Sequence, residues 1–109
     1  MAKNFGDMGG LMKQAQKMQA DLRRLQDDLK DRVLEGKAGG DAVVAYVNGA
    51  QELLQLKIKP GIVDPDDIED LEDLVVAAVR AGMEEARKMA EEETNRITGG
   101  LGGGLPFGM

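Results

Sequence analysis

The chain contains no cysteine, no histidine, no tryptophan and no serine, and Thr94 and Thr98 are its only aliphatic hydroxyls. Nucleophilic triads, Cys/His pairs, zinc sites built on thiolate or imidazole, and any disulfide framework are therefore excluded. Two Phe and one Tyr leave little aromatic surface to line a substrate pocket. They leave as little for the stacking platforms on which single-stranded nucleic acids rest. Carboxylates and lysines are plentiful, but nothing in their spacing marks a catalytic pocket or a metal site. The expectation is a protein that is not an enzyme and takes no cofactor, metal or small-molecule substrate. Neither a signal peptide nor an apolar run long enough to span a bilayer is visible, which points to a cytoplasmic protein with no membrane partner.

At 109 residues the chain has the size of one domain. Residues 1–9 and 99–109 read as flexible tails, the second holding six glycines in eleven residues around Leu101, Leu105, Pro106 and Phe107. Residues 10–98 read as a single α+β domain: a long N-terminal helix, a small antiparallel sheet and a long C-terminal helix. The first helix is predicted from about Gly10 to Val33, ahead of glycines at 36, 39 and 40 that a helix tolerates poorly. Arg32 to Lys37 adds a short edge strand. Asp41–Val47 and Ala50–Lys59 then flank Asn48-Gly49, the signal for a two-residue hairpin turn in which both residues take positive φ. Such a turn sets Val47 opposite Ala50 and Val43 opposite Leu54. One face then carries Val43, Ala45, Val47, Leu54, Leu56 and Ile58 as core. The other carries Val44, Tyr46 and Leu53 among Gln51, Gln55, Lys57 and Lys59, and reads as either a subunit contact or a wetted sheet face.

Asp64-Pro65-Asp66-Asp67 announces the second helix with a cap residue, a proline at the first helical position and carboxylates against the helix N-terminus. Its spacing does not match a calcium-binding loop. The helix is expected to continue to Thr98, with the unbroken apolar run Leu74–Val79 buried on all sides and an amphipathic remainder in which Met83, Ala86, Ala90 and Ile97 recur. Helices of ~36 Å and ~50 Å overhang strands of ~30 Å. Two overhanging amphipathic helices in so small a domain call for a second copy of the chain, so a homodimer with helical arms is expected. Met8, Met12, Met18, Met83 and Met89 read as gap fillers in these seams.

In the first helix Leu11, Ala15, Met18, Leu22, Leu25 and Leu29 recur at steps of four and three, a heptad seam that needs a partner. Lys13, Lys17, Arg23, Arg24 and Lys30 lie off that seam as a basic stripe. Residues 8–26 carry four cations against Asp21 alone, a local +3 in a chain of net charge −6 and pI about 4.6. Ten basic and eight acidic residues precede Asp64, whereas four basic and twelve acidic residues follow from it. The acidic balance alone suggests a protein partner. Within a Debye length of ~8 Å, however, local charge outweighs distant charge, and the stripe is the candidate contact for a polyanion. Arg87 and Lys88 extend it onto the second helix, among Glu84, Glu85, Glu91, Glu92 and Glu93. Two functions fit these features. One is duplex DNA binding through the phosphate backbone; the other is a helical adaptor or chaperone-like module that binds proteins through its seams and ignores DNA.

The run Gly9 to Gln19 is followed by Gly39-Gly40 and the turn Val47-Asn48-Gly49-Ala50. Leu71-Glu72-Asp73-Leu74-Val75 with Ala77-Ala78 comes next. In that order these segments resemble the YbaB/EbfC family of bacterial nucleoid-associated proteins, over nearly the whole chain. The resemblance implies a dimer with two helical arms projecting from a central antiparallel sheet, duplex DNA as partner, and a place in the nucleoid of the bacterial cytoplasm. It further implies that arms built from both terminal helices do the gripping, and the candidate DNA contacts on those helices are Lys13, Lys17, Arg23, Arg24, Lys30, Arg87 and Lys88. No base-reading helix is apparent, so little sequence preference is expected.

Overall fold

The computed structural model describes residues 2–99, with side chains from Met8 onward. Its elements are α1 (Ala2–Lys30), β1 (Val33–Ala38), β2 (Val43–Asn48), β3 (Leu53–Ile58), a 3-10 turn (Pro60–Ile62) and α2 (Ile68–Thr98). The strands form an antiparallel meander in the order β1-β2-β3. The expected flexible tail at residues 99–109 lies, from residue 100 onward, outside the described residues.

The core is built where α2 crosses the sheet. Val43, Ala45 and Ala78 are fully buried there, packed by Ala38, Leu56, Ile58, Ile62, Leu71, Leu74, Val75 and Val79. The register puts Leu34, Gly36 and Ala38 of β1 beside Val47, Ala45 and Val43 of β2, so these residues share the face toward α2. The helix approaches so closely that a Cβ on Gly36 would run into the carbonyl oxygen of Ala78 and the amide nitrogen of Gly82. The edge strand expected at Arg32–Lys37 is thus present, shifted by one residue, and leaves no room for a side chain at Gly36.

Several local expectations are corrected. The loop after β2 is longer than a two-residue turn: the Asn48 amide donates to the Glu52 carbonyl at 3.0 Å, enclosing residues 49–51. Positive φ falls on Gln51 (64°), and on neither Asn48 nor Gly49. A three-residue loop ending in a left-handed residue is the next most common hairpin closure. Asn48 still directs it, since its buried side chain accepts from the amides of Ala50 (3.0 Å) and Glu52 (2.9 Å) and donates to the Glu52 carboxylate at 2.7 Å. Gly49 is needed for space. A Cβ there would stand 2.8 Å from Leu29 Cδ2, and its amide donates to the carbonyls of Leu29 (2.8 Å) and Arg32 (2.9 Å). These bonds end α1 at Lys30, three residues before the expected Val33.

The longer loop moves the pairing, so that Val43 faces Ile58 instead of Leu54. The slip is four residues, an even number, and an even slip preserves sidedness. Val43, Ala45 and Val47 therefore remain core with Leu56 and Ile58 beside them, but an irregularity at Tyr46/Val47 displaces Leu54, which is 51% exposed. At α2, the cap is Asp67, whose side chain accepts from the Asp70 amide at 3.2 Å, while Asp64 forms a separate turn by accepting from the Asp66 amide at 3.0 Å. The run Leu74–Val79 is not buried on all sides: Ala78 is enclosed, yet Val76 is 47% exposed, because only the sheet covers the helix here. At the other terminus α1 begins at Ala2 instead of near Gly10, since Gly6 and the adjacent Gly9 and Gly10 cost about 1 kcal/mol each in a helix without stopping it.

The two glycines at the crossing differ in what a methyl group would meet. Gly36→Ala should lower stability by about 2 kcal/mol or more, because both obstructing atoms are backbone. Gly82→Ala meets Val47 methyls at 3.2 and 3.3 Å and gains helix propensity of about 1 kcal/mol, so the two effects should nearly cancel. Chemical denaturation of both variants checks the contrast; equal midpoints would mean that α2 does not cross at Gly36.

Candidate nucleic-acid interface

The helices leave the sheet together and run antiparallel. Asp21, Arg24, Leu25 and Asp28 of α1 line one cleft with Arg32 and with Glu93 and Ile97 of α2. Opposite Ile97 α1 has reached only Asp21, so everything before about Met18 projects past the end of α2, by ~24 Å. The seam records this as a gradient: Leu29 and Leu25 are buried, Leu22 and Met18 half-buried, and Leu11 and Met12 64% and 63% exposed. The described chain measures 78 × 29 × 16 Å with a radius of gyration of 20.8 Å, against about 13 Å for a compact chain of this length.

Arg32, which the sequence pattern does not mark as a site residue, fastens the base of the arm. Its guanidinium donates to Asp28 at 2.8 Å and to Glu93 at 3.3 Å, joining the end of α1 to the middle of α2's outer half. Those hydrogen bonds, Asp28's first, push its pKa above the ordinary arginine value. Arg96 adds a second contact to Glu93 at 3.3 Å. The only sequence signal is the four-residue spacing of Asp28 and Arg32; the partner on α2 lies 61 residues away.

The basic stripe is in fact two rows. At about 100° per residue, Lys13, Lys17 and Arg24 fall within roughly 40° of one another, while Arg23 and Lys30 lie together roughly 110° further round the helix. Both rows flank the direction opposite the seam, and all five residues are exposed. Arg24 reaches Asp21 at 3.7 Å, and Lys13, Lys17, Arg23 and Lys30 form no ion pair with any described residue. The first row, ~16 Å long, is a set of cations held by a rigid helix and open to solvent.

The pair assigned on α2 is split by its surroundings. Lys88 has no ion-pair partner among the described residues, but Arg87 is held from both sides. Its Nε and one terminal nitrogen donate to the Glu84 carboxylate at 3.1 and 2.7 Å, and the other terminal nitrogen donates to Glu91 at 2.7 Å. The hydrogen bonds to Glu84 raise the Arg87 pKa further and hold the Glu84 carboxyl below the usual carboxylate range. On the open sheet face Lys37 is engaged by Glu35 (3.9 Å) and Asp41 (3.5 Å), and the Lys57 ammonium stands 5.5 Å from the centre of the Tyr46 ring.

Among the described residues no group of three or more side chains could hold a metal ion, and no helix is long and apolar enough to cross a membrane. A small α+β scaffold that presents unpaired cations along a projecting helix has the layout of a polyanion-binding module. The chain belongs to the YbaB/EbfC DNA-binding family, whose family model matches residues 4–101. This is a DNA-binding family and not an enzyme family. The chain is 47% identical over 98 residues to a nucleoid-associated protein of Acetivibrio thermocellus, covering 90% of this chain and 87% of the relative. It is 50% identical over 98 residues to one of Clostridium perfringens, covering 90% and 88%. Its fold is similar to that of the uncharacterized protein HP0035 from Helicobacter pylori, with a TM-score of 0.70 at 24% identity over 87% of this chain and 97% of that one.

Proposed function

We propose that the chain binds duplex DNA as a homodimer, through phosphate contacts with little sequence preference, in the nucleoid of a bacterial cytoplasm. The observation that carries this reading is the set of exposed cations on α1, of which Arg24 alone has an ion-pair partner among the described residues, in a family that binds DNA. Lys13, Lys17 and Arg24 form the main contact, Arg23 and Lys30 flank it, and of the assigned pair on α2 Lys88 is the one without an ion-pair partner among the described residues. The cations project singly and Gln16 is the one amide side chain between their two rows, too little for a grouped set of base-edge contacts, so phosphate contacts dominate. The names of the two relatives, both nucleoid-associated proteins, support the location.

The dimer is supported by what this chain leaves uncovered. Met8, Leu11 and Met12 extend the seam with no partner. The sheet face of Val44 and Tyr46 is half-buried in the single chain, and a second copy would cover it. The same seam favours the second reading, a helical adaptor, if a foreign helix and not a second copy covers it. Sedimentation should show a dimer at micromolar concentration, and a well-folded monomer would contradict the assignment.

With roughly two to four cations per arm near phosphates, Z of about 4 to 8 per dimer gives a logarithmic salt slope of about −4 to −7. Raising salt from 50 to 200 mM should then weaken binding about a hundredfold or more, and similarly for unrelated duplexes. Changing Lys13, Lys17, Arg23 and Arg24 together to Gln should weaken binding and flatten the slope while helicity and mass stay unchanged. A shallow native slope, a preference of about a thousandfold for one duplex, or unaltered affinity in the variant would refute backbone binding by α1.

A further inference from the structure

Arg87 is the one assigned cation held by two carboxylates, which take three of its five N–H donors. Glu84 and Glu91 stand three residues before it and four after, so one helix face brings both carboxylates onto a single guanidinium. Glu84 takes two of the donors and Glu91 a third. The triad as a whole carries one negative charge. Its neighbourhood adds more: residues 84–93 hold five acidic side chains against Arg87 and Lys88, a net −3, whereas residues 8–26 of α1 carry +3. A phosphate approaching Arg87 therefore meets a cation already neutralised by a planar, two-sided match, inside a negative surround shorter than two Debye lengths.

We propose that Glu84 and Glu91 withhold Arg87 from DNA, so that the two helices of an arm are functionally unequal: α1 carries the phosphate contacts and the outer half of α2 turns the duplex toward α1. Arg87 is a latent contact, and the two glutamates are the residues that set which side of the arm the duplex occupies. The inference rests on the DNA-binding function proposed above and deepens it. It also accounts for a chain of net charge −6 in a DNA-binding family: the acidic residues of α2 steer the duplex as well as solvating the helix.

The test is a thermodynamic cycle on the full chain with a random-sequence duplex between 50 and 200 mM salt. Glu84→Gln/Glu91→Gln leaves an exposed helix surface with residues of similar helix propensity, and circular dichroism confirms folding. The double variant should bind more tightly and show a salt slope steeper by about 0.9 for each Arg87 engaged. Its advantage over the native chain should accordingly shrink about 3.5-fold per Arg87 across that salt range. Adding Arg87→Gln should cancel the extra slope, and should cost more affinity in this background than in the native one. Glu85→Gln/Glu92→Gln removes equal charge without touching the Arg87 pairs, and should give no slope change that depends on Arg87. Tighter binding that survives Arg87→Gln, or an unchanged slope in the double variant, overturns the proposal while leaving DNA binding by α1 intact. Failure of the native chain to bind any duplex overturns the function proposed above, and this inference falls with it.

Discussion

The close crossing of α2 over β1, at Gly36, Ala78 and Gly82, is the constraint on which the remaining geometry depends. A helix can lie this near a strand only where neither backbone carries a side chain at the contact, and the approach sets the direction in which α2 leaves the sheet. The hairpin loop then takes up α1: the Gly49 amide bonds the carbonyls at its end, and Leu29 packs where a side chain on residue 49 would otherwise sit. Both long helices therefore depart on the same side, and Arg32 ties them at the base through Asp28 and Glu93. A 31-residue helix spans ~46 Å, far beyond strands of six residues, so a projecting arm is the geometric outcome of element lengths once the crossing is set.

That geometry resolves the conflict between a pI of about 4.6 and membership of a DNA-binding family. The densest acidic segment, residues 64–73, surrounds the start of α2 over the sheet, whereas Lys13 and Lys17 lie beyond its far end. The separation is ~40 Å or more, several times the ~8 Å screening length at physiological salt. Charge that would repel a duplex at close range is nearly invisible to the tip of α1. Within the outer half of α2, by contrast, the glutamates are close enough to pair with Arg87 directly.

Much of this geometry is legible in the amino-acid sequence, and the misses have identifiable causes. Alternation in Val43, Ala45 and Val47 places the core face, and the seam of α1 anticipates which leucines are buried near the sheet. Periodicity carries sidedness well. It carries register poorly, since the four-residue slip over Val43–Tyr46 keeps the paired side chains on their faces and only the loop chemistry decides between the two pairings. Asn48 is the informative residue, but it acts through its side-chain amide, and Gly49 acts by making room for Leu29; neither role is visible in a turn dipeptide. Leu54 moves outward because an irregularity follows the longer loop, and Val76 is exposed because one sheet cannot surround a helix. At the candidate site the cationic stripe is readable from spacing, including the crowding of Arg87 by glutamates. Its division into two rows follows from the helical angle, while the Arg32–Glu93 contact spans 61 residues and has no local signature.

If the charge layout governs binding, DNA meets the outward face of α1 and stays away from the acidic end of α2. Because the chain has no cysteine, a single introduced cysteine carries a unique fluorescent label. Labels at Gln16, between the two cationic rows, and at Asp70, in the acidic turn of α2, report on the two surfaces separately. Titration with a random duplex at 50 mM salt should change the emission at position 16 and leave that at position 70 flat. A response at position 70 with none at 16 would contradict the claim.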